Sequence, residues 1–141
     1  MGELVGGTGD RDGEMREWVR SNMLEEQGSL LRGMRERIAK VVALNDDGTV
    51  RPKPGVTLPA REMVLSSYAG KHYAVAAGLA EDPSIENREL IVSLSLPKGT
   101  VGRCIKELRD ARLISSLEEG RHVLPLSNLE RAVQEIERSI S

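Results

Sequence analysis

The sequence predicts a mainly α-helical fold with one small β-hairpin. Apolar residues recur at helical spacing over most of the chain, whereas two short β-prone runs near residue 120 flank a glycine turn. The 141 residues include three aromatic residues and no phenylalanine. The core therefore has to be built from aliphatic side chains, which favour helices over an aromatic-rich sheet. A chain of this length suits one core.

The N-terminal part is predicted to be a flexible tail followed by a helical arm. Residues 1–13 carry five glycines, a composition that gains too little from burial to offset the ordering of the backbone. Strong helix formers extend over 14–45, and Gly28 interrupts their pattern, which predicts two helices or one kinked helix. The basic residues of this arm are interpreted as a solvated face in preference to a second nucleic-acid surface.

A connector and a long helix are predicted next. Two prolines and two glycines lie within 46–57, so this range is expected to be a linker, with a short edge strand at 49–51 as an option. Thr57 is expected to cap a helix that begins near Leu58 and ends near residue 82. Residues 58–141 form the expected main domain.

Two short helices joined by a tight turn are predicted between residues 87 and 111. Asn87 is a suitable N-cap for a helix that ends at Leu94. Residues 95–97 make the turn, and the second helix runs from about Lys98 to Ala111. Four apolar residues of this second helix follow the spacing i, i+3, i+4, i+7 and predict one inward stripe, namely Val101, Cys104, Ile105 and Leu108.

A hairpin and a final helix complete the predicted fold. The β-prone runs 113–117 and 121–124 are joined through Gly120, which supplies the positive φ that a tight turn needs. Ser127 and Glu130 have the spacing of a capping box, and the helix after them carries one apolar stripe. That stripe has to be covered either by its own domain or by a second copy of the chain.

The succession of helix, turn, helix and hairpin over 87–125 resembles the winged helix-turn-helix superfamily of DNA-binding proteins. The resemblance rests on Glu-Leu at 89–90, Pro-Lys-Gly-Thr-Val at 97–101 and Ile-Lys-Glu-Leu-Arg-Asp-Ala-Arg-Leu-Ile at 105–114. It implies a small prokaryotic or archaeal-type transcriptional regulator whose second helix enters the major groove of double-stranded DNA. It also implies a homodimer through the terminal helices.

The resemblance places the candidate DNA-binding residues on the second helix and on the wing, which is the hairpin after it. They are Lys98, Gly99, Thr100, Gly102, Arg103, Lys106, Arg121 and His122. Residues 97–112 carry a net charge of +3, although the whole chain carries −2. Glu118 and Glu119 at the wing tip would repel phosphates, so the sequence argues against insertion of the wing into DNA.

Other classes of function are disfavoured. One cysteine and two histidines fall short of an ordinary zinc site, and no paired carboxylates or nucleophile motif is present, so neither a metal, a cofactor nor an enzymatic activity is expected. No apolar stretch approaches bilayer length and no signal-peptide pattern opens the chain, so the expectation is a cytoplasmic protein without a membrane partner. The alternative to DNA binding is a winged-helix protein–protein interaction module.

Overall fold

The computed structural model describes residues 13–19 and 25–140, so the expected tail over 1–13 lies almost wholly outside the described residues. The described part is mainly helical with two small antiparallel sheets, which confirms the predicted class. Its helices are α1 (residues 13–19), α2 (Glu25–Ala39), α3 (Ala60–Ala76), α4 (Asn87–Leu94), α5 (Lys98–Asp110) and α6 (Leu129–Ile140). Its strands are β1 (Val42–Leu44), β2 (Val50–Pro52), β3 (Ile85–Glu86), β4 (Ser115–Glu118) and β5 (Arg121–Val123).

Helix α3 is the centre of the core. Its side chains are buried around most of the helix, and Val64, Leu65 and Tyr68 are fully buried. Helices α2, α5 and α6 and the hairpin of β1 and β2 pack on it. The hairpin approaches closely because α3 has no side chain at Gly70, where a Cβ would lie 2.7 Å from Val50. One hydrophobic cluster therefore joins α2, α3, α4, α5 and α6.

A hairpin occupies the region that was expected to be the end of the arm and the linker. Helix α2 ends at Ala39, and β1 pairs with β2 in the register that places Leu44 opposite Val50. The Asn45 side-chain amide donates to the Thr49 hydroxyl at 2.8 Å and helps to close the turn. Val50 is buried, so this stretch is packed on the core and is not an extended connector. The short strand expected at 49–51 is present as β2.

Helix boundaries before residue 80 differ from the expected ones. Gly28 lies within α2 and is not a break. Helix α3 begins after Pro59, which has extended backbone, and no side chain caps it; the expected cap by Thr57 is therefore wrong. The helix ends at Ala76, because Gly78 at φ +76° turns the chain away.

The segment from α4 to β5 follows the predicted order. The four residues of the α5 stripe are all buried, and the turn before α5 contains Ser95 in the left-handed region at φ 54°. Asn87 is the first residue of α4 and not its cap, as Glu86 holds that position. The Asn87 backbone N–H instead donates to the Gly120 carbonyl oxygen at 2.8 Å, which ties the start of α4 to the turn of the wing.

The wing, formed by β4 and β5, gains a third strand that the sequence did not predict. Strand β3 pairs with β5, so the sheet order is β3-β5-β4. Gly120 closes the hairpin at φ +78°, as predicted. Ser116 and Glu118 face consecutive residues of β5, so Leu117 between them is a β-bulge, which bends a strand and redirects its side chains. Leu117 is 59% exposed.

Helix α6 covers the core of its own chain. It begins at Leu129 after a 3-10 turn, Leu126–Asn128, and it packs on α2 and α3. The Arg37 guanidinium of α2 donates two hydrogen bonds to the Glu137 carboxylate, at 2.8 and 2.6 Å. The apolar stripes behind the expected terminal-helix homodimer are therefore largely covered within one chain. Within residues 13–19 and 25–140, no helix has both the length and the apolar character needed to cross a bilayer.

Candidate nucleic-acid interface

Helix α5 is fixed in the core by its inner face. Its apolar stripe packs against α3 and α4, and Val101 and Leu108 are at most 1% exposed. Burial raises the pKa of the Cys104 thiol above its ordinary value, so this side chain is a small neutral core residue, as its place in the stripe predicts. Because the inner face is held, the opposite face of α5 is presented to solvent in one orientation.

The outer face of α5 carries basic side chains and glycines. The exposed residues among the candidates are Lys98, Gly99, Gly102, Arg103 and Lys106, and Thr100 is half-buried beside them. The Arg103 side chain is 66% exposed, and its Nε lies 3.8 Å from Glu107 Oε1, a long solvent-side pair that contributes little. A Cβ added at Gly99 or Gly102 would meet no atom within 4 Å. Six of the eight candidate residues thus share one helix segment.

The C-terminal end of α5 extends this basic surface. Arg109 and Arg112 are both exposed. Arg112 has φ 59°, and it follows the helix at a position where glycine is the usual residue because a Cβ costs about 1–2 kcal/mol there. The chain therefore keeps a basic side chain beside the helix at a conformational cost.

The basic residue of the wing is held by neighbouring carboxylates. The Arg121 guanidinium contacts the Glu86 carboxylate, lies 3.2 Å from Glu118 Oε1 and donates to the Ser84 hydroxyl at 2.8 Å. Its side chain is only 29% exposed. The charge of Arg121 is therefore already compensated within the three-stranded sheet, and its contact with DNA stays a prediction.

The other wing candidate, His122, faces the interior. It is 4% exposed, and its Nδ1 is buried without a hydrogen-bond partner in the described part of the chain. Burial, together with the nearby Arg109, lowers the pKa of His122 below its ordinary value, so the ring is neutral near pH 7. Strand alternation turns the His122 ring away from solvent, and its contact with DNA stays a prediction. Among the described residues, no three His, Cys, Asp or Glu side chains are grouped to hold a metal ion.

Sequence reasoning missed a buried ion pair that positions α4. Lys71 is 6% exposed, and its Nζ lies 2.8 Å from Glu89 Oε2 and 3.1 Å from the Gly48 carbonyl oxygen. The Tyr68 hydroxyl is buried one turn away with no hydrogen-bond partner among the described residues, and burial raises its pKa. Lys71 thus connects α3, the turn of the first hairpin and α4.

The signal for this pair in the sequence is weak. A lysine on an apolar helix is usually a solvated residue, and Glu89 is 18 residues away from it.

Comparison of the chain with protein-family models, with curated proteins and with solved structures gives no match in any of the three, so the interpretation of α5 rests on the geometry and charge of this chain alone.

Proposed function

We propose that this protein binds double-stranded DNA through the outer face of α5 and acts as a transcriptional regulator of the winged-helix kind. The observation that carries the proposal is an exposed face with Lys98, Arg103 and Lys106 on a helix whose other face is fixed in the core. In helix-turn-helix proteins, the N-terminal residues of the second helix contact base edges in the major groove. The order of α4, turn and α5 suits the same arrangement here.

The three basic residues are assigned different roles. Arg103 lies in the first half of α5 with most of its side chain in solvent, where its guanidinium can donate two hydrogen bonds to O6 and N7 of a guanine. Lys98 starts the helix and Lys106 lies one turn beyond Arg103, positions from which ammonium groups reach phosphates. Arg103 is therefore the proposed determinant of sequence preference, and the lysines supply affinity.

The wing stays outside the proposed DNA interface. Glu118 and Glu119 are exposed at its tip, and Arg121 is engaged by carboxylates. Lysine and arginine side chains strengthen DNA binding because they neutralise phosphates and release counterions. Carboxylates beside phosphates repel them and weaken DNA binding. The DNA contact is thus confined to α5 and its ends, and the binding should depend strongly on salt.

The second candidate function is a protein–protein interaction module. It is favoured by Val92 of α4, which is 73% exposed although it belongs to the same helix-turn-helix segment. A single exposed valine is common on protein surfaces, whereas the basic residues of α5 share one exposed face with two glycines. DNA binding is therefore preferred.

Arg103→Ala is expected to weaken binding to the preferred sequence by about 1–3 kcal/mol and to relax the preference at one base pair. Lys106→Ala is expected to weaken binding to all duplexes similarly. It should also make the fall of log affinity with log salt shallower by about one unit. Fluorescence anisotropy at two salt concentrations measures both effects, with duplexes selected from a randomised pool.

Arg35→Ala is the matched control, because Arg35 is an exposed arginine on a helix outside α5. It is expected to bind DNA like the unchanged protein. Folded Arg103→Ala and Lys106→Ala variants with unchanged affinity would exclude α5 as the DNA-binding helix and make the protein-interaction module the leading candidate.

Gly102→Ala is expected to stabilise the protein and to weaken DNA binding at the same time. Alanine in place of an interior helical glycine adds up to about 1 kcal/mol of stability, and the space around Gly102 is open. The added methyl group would separate α5 from the duplex, and we expect roughly tenfold weaker binding, equivalent to about 1.4 kcal/mol. Thermal denaturation and anisotropy measure the two effects.

Gly33→Ala provides the matched control for this substitution. Gly33 is also an interior helical glycine with open space around it, but it lies on α2. Its replacement is expected to stabilise the protein to a similar extent and to leave DNA affinity unchanged. Equal DNA affinity in both variants would show that the duplex does not approach the backbone at Gly102.

A further inference from the structure

The wing tip combines an exposed apolar side chain with negative charge. Leu117 is 59% exposed, and the β-bulge at this position turns it out of the sheet. The next two residues are Glu118, whose side chain is 71% exposed and pairs with Arg121, and Glu119, which is exposed and supplies the negative charge of the tip. This arrangement suits a partner that offers an apolar contact surrounded by positive charge.

A groove of that kind lies between the ends of α2 and α6. It has a volume of about 350 Å³, and its apolar side chains include Val41, Val56 and Ile140. Arg37 and Lys40 provide its positive charge. Glu137 also lines it, but this carboxylate is already bound by Arg37, so Lys40 leaves the groove with net positive charge. Ile140 at its rim is 51% exposed.

We propose that the wing tip of one copy of this chain docks into the groove of a second copy. Leu117 then packs against Val56 and Ile140, while Glu119 of the wing tip faces Lys40. Both partners in this contact expose a large apolar side chain, and their charges are opposite. Docking of the wing tip would cover apolar surface on each side and place the Glu119 carboxylate next to the Lys40 ammonium group.

The proposed contact joins two different surfaces, so it is a heterologous interface. After the first contact one copy keeps a free groove and the other keeps a free wing, so association continues to a closed ring or an open chain. None of the residues involved belongs to α5, so the inference does not depend on the proposed DNA binding. The expected homodimer pairs terminal helices with each other. In the proposed contact, the groove between the ends of α2 and α6 of one copy instead receives the wing of another copy.

Sedimentation of the full chain over a range of concentrations and at two salt concentrations tests the proposal. The unchanged protein is expected to associate, and association should weaken in high salt because exposed charges are screened. Leu117→Ser and Lys40→Glu are each expected to raise the dissociation constant at least tenfold, with unchanged thermal stability because both side chains are exposed.

An equimolar mixture of the two variants is the decisive sample. Leu117→Ser keeps an intact groove and Lys40→Glu keeps an intact wing, so the mixture should form a one-to-one dimer and stop there. Val92→Ser, which removes an exposed apolar side chain on α4, should associate like the unchanged protein. A monomer at every concentration, association that neither substitution reduces, a mixture that stays monomeric, or loss of association in Val92→Ser would each overturn the proposal.

Discussion

Lys71→Ala is expected to lower the free energy of unfolding by about 3 kcal/mol, the low end of the range for breaking a buried ion pair. The substitution leaves the Glu89 carboxylate and the Gly48 carbonyl oxygen without their cation. The low end applies because the Glu89 side chain is 28% exposed and water reaches it. Urea denaturation followed by circular dichroism measures the change.

The half-exposed pair of Arg37 and Glu137 is the matched control for this prediction. Arg37 Nη2 lies 2.6 Å from Glu137 Oε1, so the geometry of this pair is as good as that of Lys71 and Glu89. The Arg37 side chain, however, is 35% exposed and the Glu137 side chain 41%. Arg37→Ala is therefore expected to cost at most about 1 kcal/mol. A loss for Lys71→Ala no larger than that would contradict the buried position of Lys71. Combining Lys71→Ala with Glu89→Gln should show coupling of roughly 1–2 kcal/mol, since the two side chains are in contact.

Gly48→Ala is expected to destabilise the protein by about 3 kcal/mol or more, for two separate reasons. Gly48 has φ +87°, where a Cβ costs about 1–2 kcal/mol. The same Cβ would lie 2.3 Å from the Leu79 carbonyl oxygen, so the backbone of the hairpin or of the segment after α3 has to move, at a cost of about 1–3 kcal/mol. Chemical denaturation of the variant measures the total loss in the free energy of unfolding.

Gly55→Ala separates the two contributions. Gly55 has nearly the same φ, +86°, but a Cβ there would meet no atom within 4 Å. Its replacement is expected to cost only the conformational part, about 1–2 kcal/mol. If both alanine variants were equally stable, the close approach of the hairpin turn to Leu79 would not exist in solution.

The local features of the candidate interface could be predicted from the sequence. The stripe from Val101 to Leu108 lies at the spacing of one helix face, and all four of its residues are buried. Gly120 marks the hairpin turn because few other residues adopt positive φ without strain, and it does so in the structure. Once the inner face of α5 is known, helical periodicity alone identifies Arg103 and Lys106 as outer residues.

The two wing candidates show where such reasoning stops. A strand of three residues gives too little alternation to indicate which side faces the core, and His122 turned out to face inward. Arg121 is engaged by Glu86, which lies 35 residues earlier on a two-residue strand. No local pattern indicates a strand that short, so the engagement of Arg121 by Glu86 could not be foreseen.

The sequence by itself determined the elements whose signal is contained in one turn or one helix face: α4, the turn before α5, α5 itself and the hairpin after it. Only the tertiary structure decided the position of the first hairpin, the burial of Lys71 and the direction of His122. Each of these depends on contacts between residues far apart in the chain, such as Val50 against Gly70 and Lys71 against Glu89. Hydrophobic periodicity carries no information about such pairs, because it records which residues are buried and not which neighbours they meet.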